Sequence, residues 1–315
     1  MRVAILDDYF DAARHLADWD QLSGRADIQV FTEHLGDEEN AVRRLTDFEI
    51  IVGMRERTPF PATLIRRLPK LKLLITTGMR NHSFDLEAAR SRGVTICGTG
   101  GVGSPTSELA VGLMIALLRD IPGQFDSMRK GGWQTRPGYS LAGKTLGLLG
   151  LGRVGSGVAA VGHAFNMKLM AWSQNLTGER AAECHARLVE KDELFRQSDV
   201  VSIHLVLSGR THGLVGRREL SLMKPTAYLI NTSRGPIVDE AALLEILREK
   251  RIAGAAIDVY GTEPLPADHP IRRLDNVLLT PHLGYVSVEN LTQMYQDAVE
   301  DILAFLDGKP IRVLN

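Results

Sequence analysis

The chain of 315 residues is 44% hydrophobic and 24% charged, which is typical of a folded globular protein with about two domains. Its 37 lysines and arginines balance 38 aspartates and glutamates, so a net charge of −1 excludes a global field that attracts nucleic acid or an anionic membrane. Two cysteines, Cys97 and Cys184, are too few for a disulfide framework or a thiolate zinc site. The longest apolar run, 109–118, is too short to span a bilayer. These features predict a cytoplasmic protein that binds small molecules and no nucleic acid, membrane or metal.

The first third of the chain alternates strand-like and helix-like segments. Apolar residues from Ala12 to Trp19 recur at helical spacing and predict a helix after the first strand. The predicted strands of this part lie within residues 2–8, 28–31, 48–52, 71–75 and 94–97. Each pair of strands is separated by enough residues for a crossover helix, which indicates a parallel sheet.

A second strand-helix series follows a glycine-rich segment at 98–103, predicted to be a hinge, and a long apolar helix at 105–119. The segment 123–140 is predicted to be an irregular arm. Further strands are predicted at 145–149, 168–172, 200–203, 227–230, 254–257 and 277–279. The two arrays predict an α/β protein of two doubly wound parallel-sheet domains, with ligands bound in a crevice between them. The last helix, predicted over 288–306, could cover the second array or return to the first.

A glycine loop, Gly150-Leu-Gly152-Arg-Val-Gly155, lies between a predicted strand and a predicted helix. Glycines permit a tight turn and close approach of the backbone, while the helix N-terminus presents N–H groups to a pyrophosphate. In this strand-turn-helix context the loop predicts dinucleotide binding. A purely structural turn and a methyltransferase-type loop are the alternatives.

The position expected to discriminate NAD from NADP is occupied by Ser173, which is followed by Gln174 and Asn175. An acid about 20 residues beyond the glycine loop normally binds the adenosine ribose hydroxyls. Here no carboxylate is present to repel a 2′-phosphate, so we expect that NADP is tolerated or preferred. Adequate binding of NAD by the neutral side chains remains the alternative.

Polar residues follow three of the predicted strands in the second array: Arg234, then Asp258 and Glu263, then His282. Because the carboxyl ends of parallel strands meet at one edge of a sheet, these residues are expected to share a site with the glycine loop. A guanidinium binds a carboxylate bidentately, and a histidine near neutral pKa protonates a developing alkoxide. Taken singly, Arg234 could cap a helix and His282 could be a loop histidine. Together they predict hydride transfer between a nicotinamide cofactor and a 2-hydroxy or 2-oxo acid.

At this point the sequence resembles the D-isomer-specific 2-hydroxyacid dehydrogenase family. The matching segments are 141–147 leading into the glycine loop, 198–204, 223–225, 230–235, 258–264 and 280–284. The resemblance implies a D-stereospecific oxidoreductase in which Arg234 binds and activates the substrate, His282 is the acid/base and Glu263 is its partner. For the cofactor it implies contacts from Gly150, Gly152, Arg153, Val154, Gly155 and Ser173, from Thr232 and Ser233 on the nicotinamide side, and from Asp258 and Gly284.

The resemblance also implies how the domains are arranged. Residues 1–99 and 285–315 form a flavodoxin-like substrate domain, into which a Rossmann NAD(P)-binding domain of residues 100–284 is inserted. The family usually forms homodimers through the cofactor domain, which gives the arm around Trp133 an intersubunit role.

Two departures from the family pattern affect the expected pockets. The turn at Gly78-Met79-Arg80 is expected to hold the substrate carboxylate through backbone N–H groups, and Arg80 stands where a glycine is usual. Arg80 could meet an acidic substrate or form a surface ion pair. Where the family usually has the motif His-x-Pro, this chain has His204-Leu-Val206, which changes the expected adenine pocket. An NAD(P)-sensing, corepressor-like binding module of the same fold is the alternative function.

Overall fold

A computed structural model of the protein describes residues 1–315. The chain divides into two compact units. The first unit consists of Met1–Gly103 and Val286–Asn315, and the second of Ser104–Tyr285. Each unit has one all-parallel sheet with helices, which confirms the predicted fold class.

The first unit contains five strands in the spatial order β2-β1-β3-β4-β5, the flavodoxin-like arrangement. The strands are β1 Arg2–Ile5, β2 Asp27–Val30, β3 Ile50–Gly53, β4 Leu73–Thr76 and β5 Thr95–Gly98. The first helices are α1 Ala13–Leu16, α2 Glu38–Leu45, α3 Ala62–Arg66 and α4 Leu86–Ser91, with a 3-10 turn at Trp19–Leu22. β3 and β4 are buried along their whole length, because a parallel sheet is covered on both faces.

The second unit contains seven strands in the order β12-β11-β10-β9-β6-β7-β8. Its strands are β6 Thr145–Leu149, β7 Lys168–Trp172, β8 Ala186–Leu188, β9 Val200–Ile203, β10 Tyr228–Asn231, β11 Gly254–Ile257 and β12 Val277–Leu279. Its helices are α5 Pro105–Leu118, α6 Ile121–Arg129, α7 Arg153–Ala164, α8 Gly178–Glu183, α9 Lys191–Gln197, α10 Arg217–Leu222 and α11 Glu240–Arg248, with 3-10 turns at Gly235–Ile237 and Pro270–Arg273. This is the doubly wound order with one strand added at an edge.

The last helix, α12 Val288–Leu306, returns to the first unit and packs against α1 and β4. Its Tyr295 ring meets Trp19 edge-on at 6.1 Å between centroids. Asp297 accepts a hydrogen bond from the Gly100 N–H at 2.6 Å. The apolar pattern left both destinations of this helix open, whereas the family resemblance implies the first unit.

Three local predictions were wrong. The segment 123–140 is not irregular throughout, because α6 occupies its first part, with Pro122 in the first helical turn where proline is tolerated. The short edge strand β8 was missed, since two of its three residues are exposed and give no apolar run. The helix expected from Ala12 to Trp19 is only one α-turn followed by a 3-10 turn. None of the helices combines the length and apolar character needed to cross a bilayer.

Candidate active site

The glycine loop connects β6 to α7 with a conformation that requires glycine. Gly150 has φ +97°, and its N–H donates to the Trp172 carbonyl at 2.9 Å. A Cβ at Gly155 would lie 2.2 Å from the Gly150 carbonyl oxygen, so only glycine lets the helix pack this closely on the loop. A Cβ at Gly152 would instead meet no atom within 4 Å, which leaves open space at the start of α7.

The start of α7 fits the pyrophosphate of a dinucleotide. Arg153 and Val154 stand in the first helical turn, where N–H groups have no preceding helical carbonyl to bind. The helix dipole favours an anion there. Two buried polar atoms of this unit, Thr232 Oγ1 and His204 Nδ1, have no hydrogen-bond partner within the chain. The open space, the helix end and these unsatisfied atoms together fit a bound nicotinamide dinucleotide.

Ser173 directly follows β7 and lies beside the glycine loop, because the neighbouring Trp172 carbonyl receives the Gly150 N–H. Ser173 is half-buried, whereas Gln174 and Asn175 are exposed. The strand end therefore offers hydroxyl and amide groups without a negative charge.

Glu263 and His282 form the closest acid-base contact of the site. Glu263 Oε2 lies 2.6 Å from His282 Nδ1, and both side chains are largely shielded from solvent. Glu263 Oε1 accepts the Tyr260 N–H at 2.9 Å. The carboxylate thus fixes the orientation of the imidazole and leaves the second ring nitrogen, Nε2, for another partner.

Glu263 is held in its charged form. Burial alone would raise the pKa of this carboxyl group. The hydrogen bond and charge of His282, the Tyr260 N–H and the charge of Arg234 outweigh burial and bring the pKa of Glu263 below its usual range. A charged carboxylate only accepts hydrogen bonds, so His282 Nδ1 carries the proton of this contact.

Asp258 holds the turn that carries His282. The Asp258 carboxylate is fully buried, and burial raises its pKa despite three donors. Asp258 Oδ1 accepts from Thr280 Oγ1 at 2.6 Å and from the Leu283 N–H at 2.7 Å, while Oδ2 accepts from the Gly284 N–H at 2.9 Å. Both carboxylate oxygens of Asp258 therefore accept hydrogen bonds from the turn that contains His282.

His282 itself has a strained backbone. Its φ is +54°, a left-handed conformation that non-glycine residues adopt at an energetic cost. The His282 N–H donates to the Asp258 carbonyl at 2.8 Å, which helps to impose that conformation. Surroundings that maintain strain in a residue of this chemistry are typical of functional sites.

Arg234 follows β10 in a turn that its neighbours stabilise. Asn231 Nδ2 donates to the Arg234 carbonyl at 3.0 Å, and Asn231 Oδ1 accepts the Ser233 N–H at 3.0 Å. The Ser233 hydroxyl donates to the Leu205 carbonyl at 2.5 Å, so it is already engaged. The guanidinium of Arg234 donates to the Ser233 carbonyl at 2.7 Å and lies close enough to Glu263 to lower its pKa.

Two residues of this unit, His204 and Tyr260, make contacts that the sequence did not predict, although His204 was expected at the adenine pocket. His204 supplies the carbonyl beneath Gly150, and burial lowers the pKa of its imidazole to about 4, so the ring is neutral at neutral pH. Tyr260 contacts the segments of Arg234, Glu263 and His282. Its place between Asp258 and Glu263 was visible, but nothing in the sequence indicated the contacts of its hydroxyl.

The predicted carboxylate-binding turn belongs to the first unit. Gly78 has φ +112°, its N–H donates to Thr99 Oγ1 at 2.9 Å, and a Cβ there would lie 1.9 Å from Arg55 Nη1. Arg55 also donates to the Thr77 carbonyl at 3.1 Å, so a cation that was not predicted from the sequence lies against this turn.

Met79 and Arg80 are both exposed at this turn. They line a groove of about 230 Å³ with Asn81, His82 and Leu314. Arg80 pairs with no carboxylate of the chain, which contradicts the surface ion pair considered from the sequence.

Comparisons with known proteins give a consistent result. Residues 111–284 match the sequence profile of the NAD binding domain of D-isomer specific 2-hydroxyacid dehydrogenases. A glyoxylate reductase of Aeropyrum pernix is 38% identical over 263 residues, which cover 80% of this chain and 78% of that protein. A crystal structure of a phosphoglycerate oxidoreductase from Vibrio cholerae aligns with a TM-score of 0.93 and 35% identity, over 98% of this chain and 99% of the other.

A D-3-phosphoglycerate dehydrogenase of Archaeoglobus fulgidus is 36% identical over 277 residues, or 87% of this chain. The aligned part covers 52% of that protein, so the chain spans about half the length of this curated relative. The family profile and the identity to relatives of similar length agree with the strand order and the glycine loop. The chain belongs to the D-isomer specific 2-hydroxyacid dehydrogenase family.

Proposed function

We propose that the protein is an NAD(P)-dependent D-2-hydroxyacid dehydrogenase, or 2-oxoacid reductase. The observation that carries this proposal is the 2.6 Å contact between Glu263 and His282. These residues follow β11 and β12, next to β10, which Arg234 follows. The glycine loop of the same sheet fits a dinucleotide. When bound, the nicotinamide supplies or accepts the hydride. The remaining requirements of the reaction are a carboxylate anchor and a proton donor.

The roles of the three residues follow from their chemistry. Arg234 binds the substrate carboxylate and polarises the neighbouring carbonyl, because its planar fork matches two oxygens. His282 Nε2 gives a proton to the carbonyl oxygen during reduction and removes it during oxidation. Glu263 holds Nδ1, so the ring keeps one orientation.

The cofactor site is proposed to extend from the start of α7 to the turn after β12. The glycine loop with Arg153 and Val154 binds the pyrophosphate, while Thr232, whose hydroxyl has no partner in the chain, faces the nicotinamide end. Ser233, Asp258 and Gly284 complete that end by shaping the adjoining turns. Because Ser173 brings no negative charge, NADP is accepted at least as well as NAD.

The substrate is proposed to meet the first unit through the turn at Met79 and Arg80. In this assignment residues 1–99 and 285–315 form the substrate domain and residues 100–284 form the cofactor domain. Backbone N–H groups of the turn hold the carboxylate, and the Arg80 side chain selects a second anionic group.

The protein is proposed to be a cytoplasmic homodimer. Both cysteines are free thiols, as expected in a reducing compartment. α6 has no buried residue and exposes Ile121, Phe125 and Met128, with Trp133 exposed just beyond it. An apolar patch of this kind favours a protein partner, and a second copy of the chain would cover it. Light scattering should give twice the chain mass for the parent protein and a lower mass for Phe125→Glu.

Steady-state oxidation of NADH and NADPH with a panel of 2-oxo acids tests the enzyme proposal. We expect turnover with at least one 2-oxo acid and a D-configured product. Cofactor binding without turnover across the panel would overturn the enzyme proposal and favour a binding module instead.

A further inference from the structure

Tyr260 lies just after β11, between Asp258 and Glu263, and only 9% of it is exposed. Its backbone N–H donates to Glu263 Oε1 at 2.9 Å. The other oxygen of that carboxylate contacts His282 Nδ1 at 2.6 Å. The main chain of Tyr260 therefore holds one side of the acid-base pair.

The Tyr260 hydroxyl spans the ends of two neighbouring strands. It lies 3.0 Å from the Ile257 carbonyl at the end of β11 and 2.8 Å from the Thr280 carbonyl just after β12. Thr280 stands two residues before His282. Burial and the nearby charges of Asp258 and Glu263 raise the pKa of Tyr260, so the hydroxyl remains a donor throughout the working pH range.

A third contact links Tyr260 to the arginine turn. A Cβ added at Gly235 would lie 2.1 Å from the Tyr260 carbonyl carbon, so the turn following Arg234 rests directly on the Tyr260 backbone. The segments that carry Arg234, Glu263 and His282 thus all meet at this one residue.

We infer that the Tyr260 hydroxyl is a positioning group that fixes the His282 turn relative to Glu263 and Arg234. The inference rests on the proposed function, because it assigns Tyr260 a task within that reaction. Tyr260 touches no reacting atom in this role and acts through the two strand ends that it joins.

The Ile257 and Thr280 carbonyls each have a second hydrogen-bond donor, so the positioning role of the Tyr260 hydroxyl can be tested without leaving a buried carbonyl unpaired. The Ile257 carbonyl also accepts the Thr280 N–H at 3.0 Å, and the Thr280 carbonyl also accepts the His282 N–H at 3.1 Å. Replacing Tyr260 by phenylalanine therefore leaves neither carbonyl without a partner, and the ring still fills its space. What is lost is the link through the Tyr260 hydroxyl, while the Thr280 N–H still joins the ends of β11 and β12.

The test compares Tyr260→Phe with Tyr228→Phe, a matched control at the start of β10. For Tyr260→Phe we expect kcat to fall about two- to tenfold, the effect of losing one neutral hydrogen bond that orients an acid-base pair. The melting temperature and the dissociation constants of NADH and NADPH should change little. The control variant should keep the parent kcat.

The pH profile supplies a readout that a general loss of stability does not move. The other charged groups that act on the Glu263–His282 pair or on Tyr260 are Asp258, Arg234 and Arg272. Reduction requires a proton on His282, and Glu263 orients that imidazole. The pH dependence of the reduction rate should therefore change in Tyr260→Phe but not in the control.

A double-mutant cycle with Glu263→Gln completes the experiment. If Tyr260 acts through the pair, its replacement should cost less in the Glu263→Gln background than in the parent. Full additivity, or a parent-like rate and pH profile for Tyr260→Phe, would overturn this inference while leaving the proposed function intact. Absence of turnover by the parent protein would overturn the proposed function, and this inference with it.

Discussion

The strand ends of the second unit and the turn at 78–80 of the first differ in what the fold holds in place. In the second unit the side chains themselves are constrained, since Glu263 binds both His282 and the Tyr260 backbone. At the turn the backbone is constrained by the contacts of Gly78, whereas Met79 is 48% exposed and Arg80 extends from the surface.

This difference separates two tasks. Acid-base chemistry needs groups placed within tenths of an ångström, so it depends on buried hydrogen bonds that adjoining strands share. Selection among related acids needs only a side chain at the rim, which can change without disturbing the fold. We therefore expect replacements at the strand ends to affect the rate for every substrate, and replacements at the turn to affect the choice among substrates.

The largest effect is expected for His282→Ala. Removing the proton donor should lower kcat by about two orders of magnitude or more for all substrates, since general acid catalysis is typically worth 10² to 10⁴. Cofactor affinity should survive, because the glycine loop and the start of α7 are untouched. Stopped-flow turnover and fluorescence titration with NADH measure the two quantities. A near-normal rate would show that another group transfers the proton.

Arg234→Lys should follow, with kcat/KM reduced by roughly thirtyfold or more. An ammonium keeps the charge but cannot reproduce the planar fork that binds a carboxylate at two points. The loss should be of similar size for small and large 2-oxo acids, since all share the anchored carboxylate. Equal affinity and rate in the variant would mean that a different cation anchors the substrate.

Much of this fold was predictable because buried parallel strands are continuous apolar runs. The bounds of β9, β11, β12 and α12 agree with those expected from the sequence. Arg234 and His282 were likewise expected beyond strands, because polar residues there interrupt such runs. No comparable signal exists for β8 or α6, which have few buried residues to form a pattern.

The parts that could not be predicted are contacts of side chains across the fold. The sequence places Tyr260 near Glu263, yet its hydroxyl reaches Thr280, which belongs to another strand end. Arg55, in the turn after β3, reaches Gly78 after β4, in a direction that its four side-chain torsions leave open. Such contacts depend on the register between strands and on rotamers, neither of which a local pattern determines.

A smaller and more local effect is expected for Ser173→Asp. A carboxylate at the end of β7 repels the 2′-phosphate of NADP and captures the ribose hydroxyls of NAD. The ratio of kcat/KM for NADPH to that for NADH should fall by about tenfold or more, the effect of one charge-assisted contact. Ser173→Asn is the uncharged control. A strong NADH preference in the parent protein would show that pocket shape outweighs the missing charge.

The smallest effect, and the sharpest test of the comparison, is expected for Arg80→Ala. Arg80 is exposed and pairs with no carboxylate of the chain, so its removal should leave folding and the rate with glyoxylate or pyruvate nearly unchanged. Relative kcat/KM for oxaloacetate or a phosphorylated 2-oxo acid should fall by up to about tenfold, because solvent weakens a charge-assisted hydrogen bond at an exposed site.

Arg55→Ala separates the two cations near the turn. Arg55 lies against Gly78 and donates to the Thr77 carbonyl, so its loss should disturb the turn itself and lower the rate for all substrates alike. If Arg80→Ala also reduced every rate equally, its side chain would be part of the common carboxylate site. The division between chemistry at the strand ends and selection at the turn would then be wrong. Unchanged relative specificity in Arg80→Ala would place the second anionic group elsewhere.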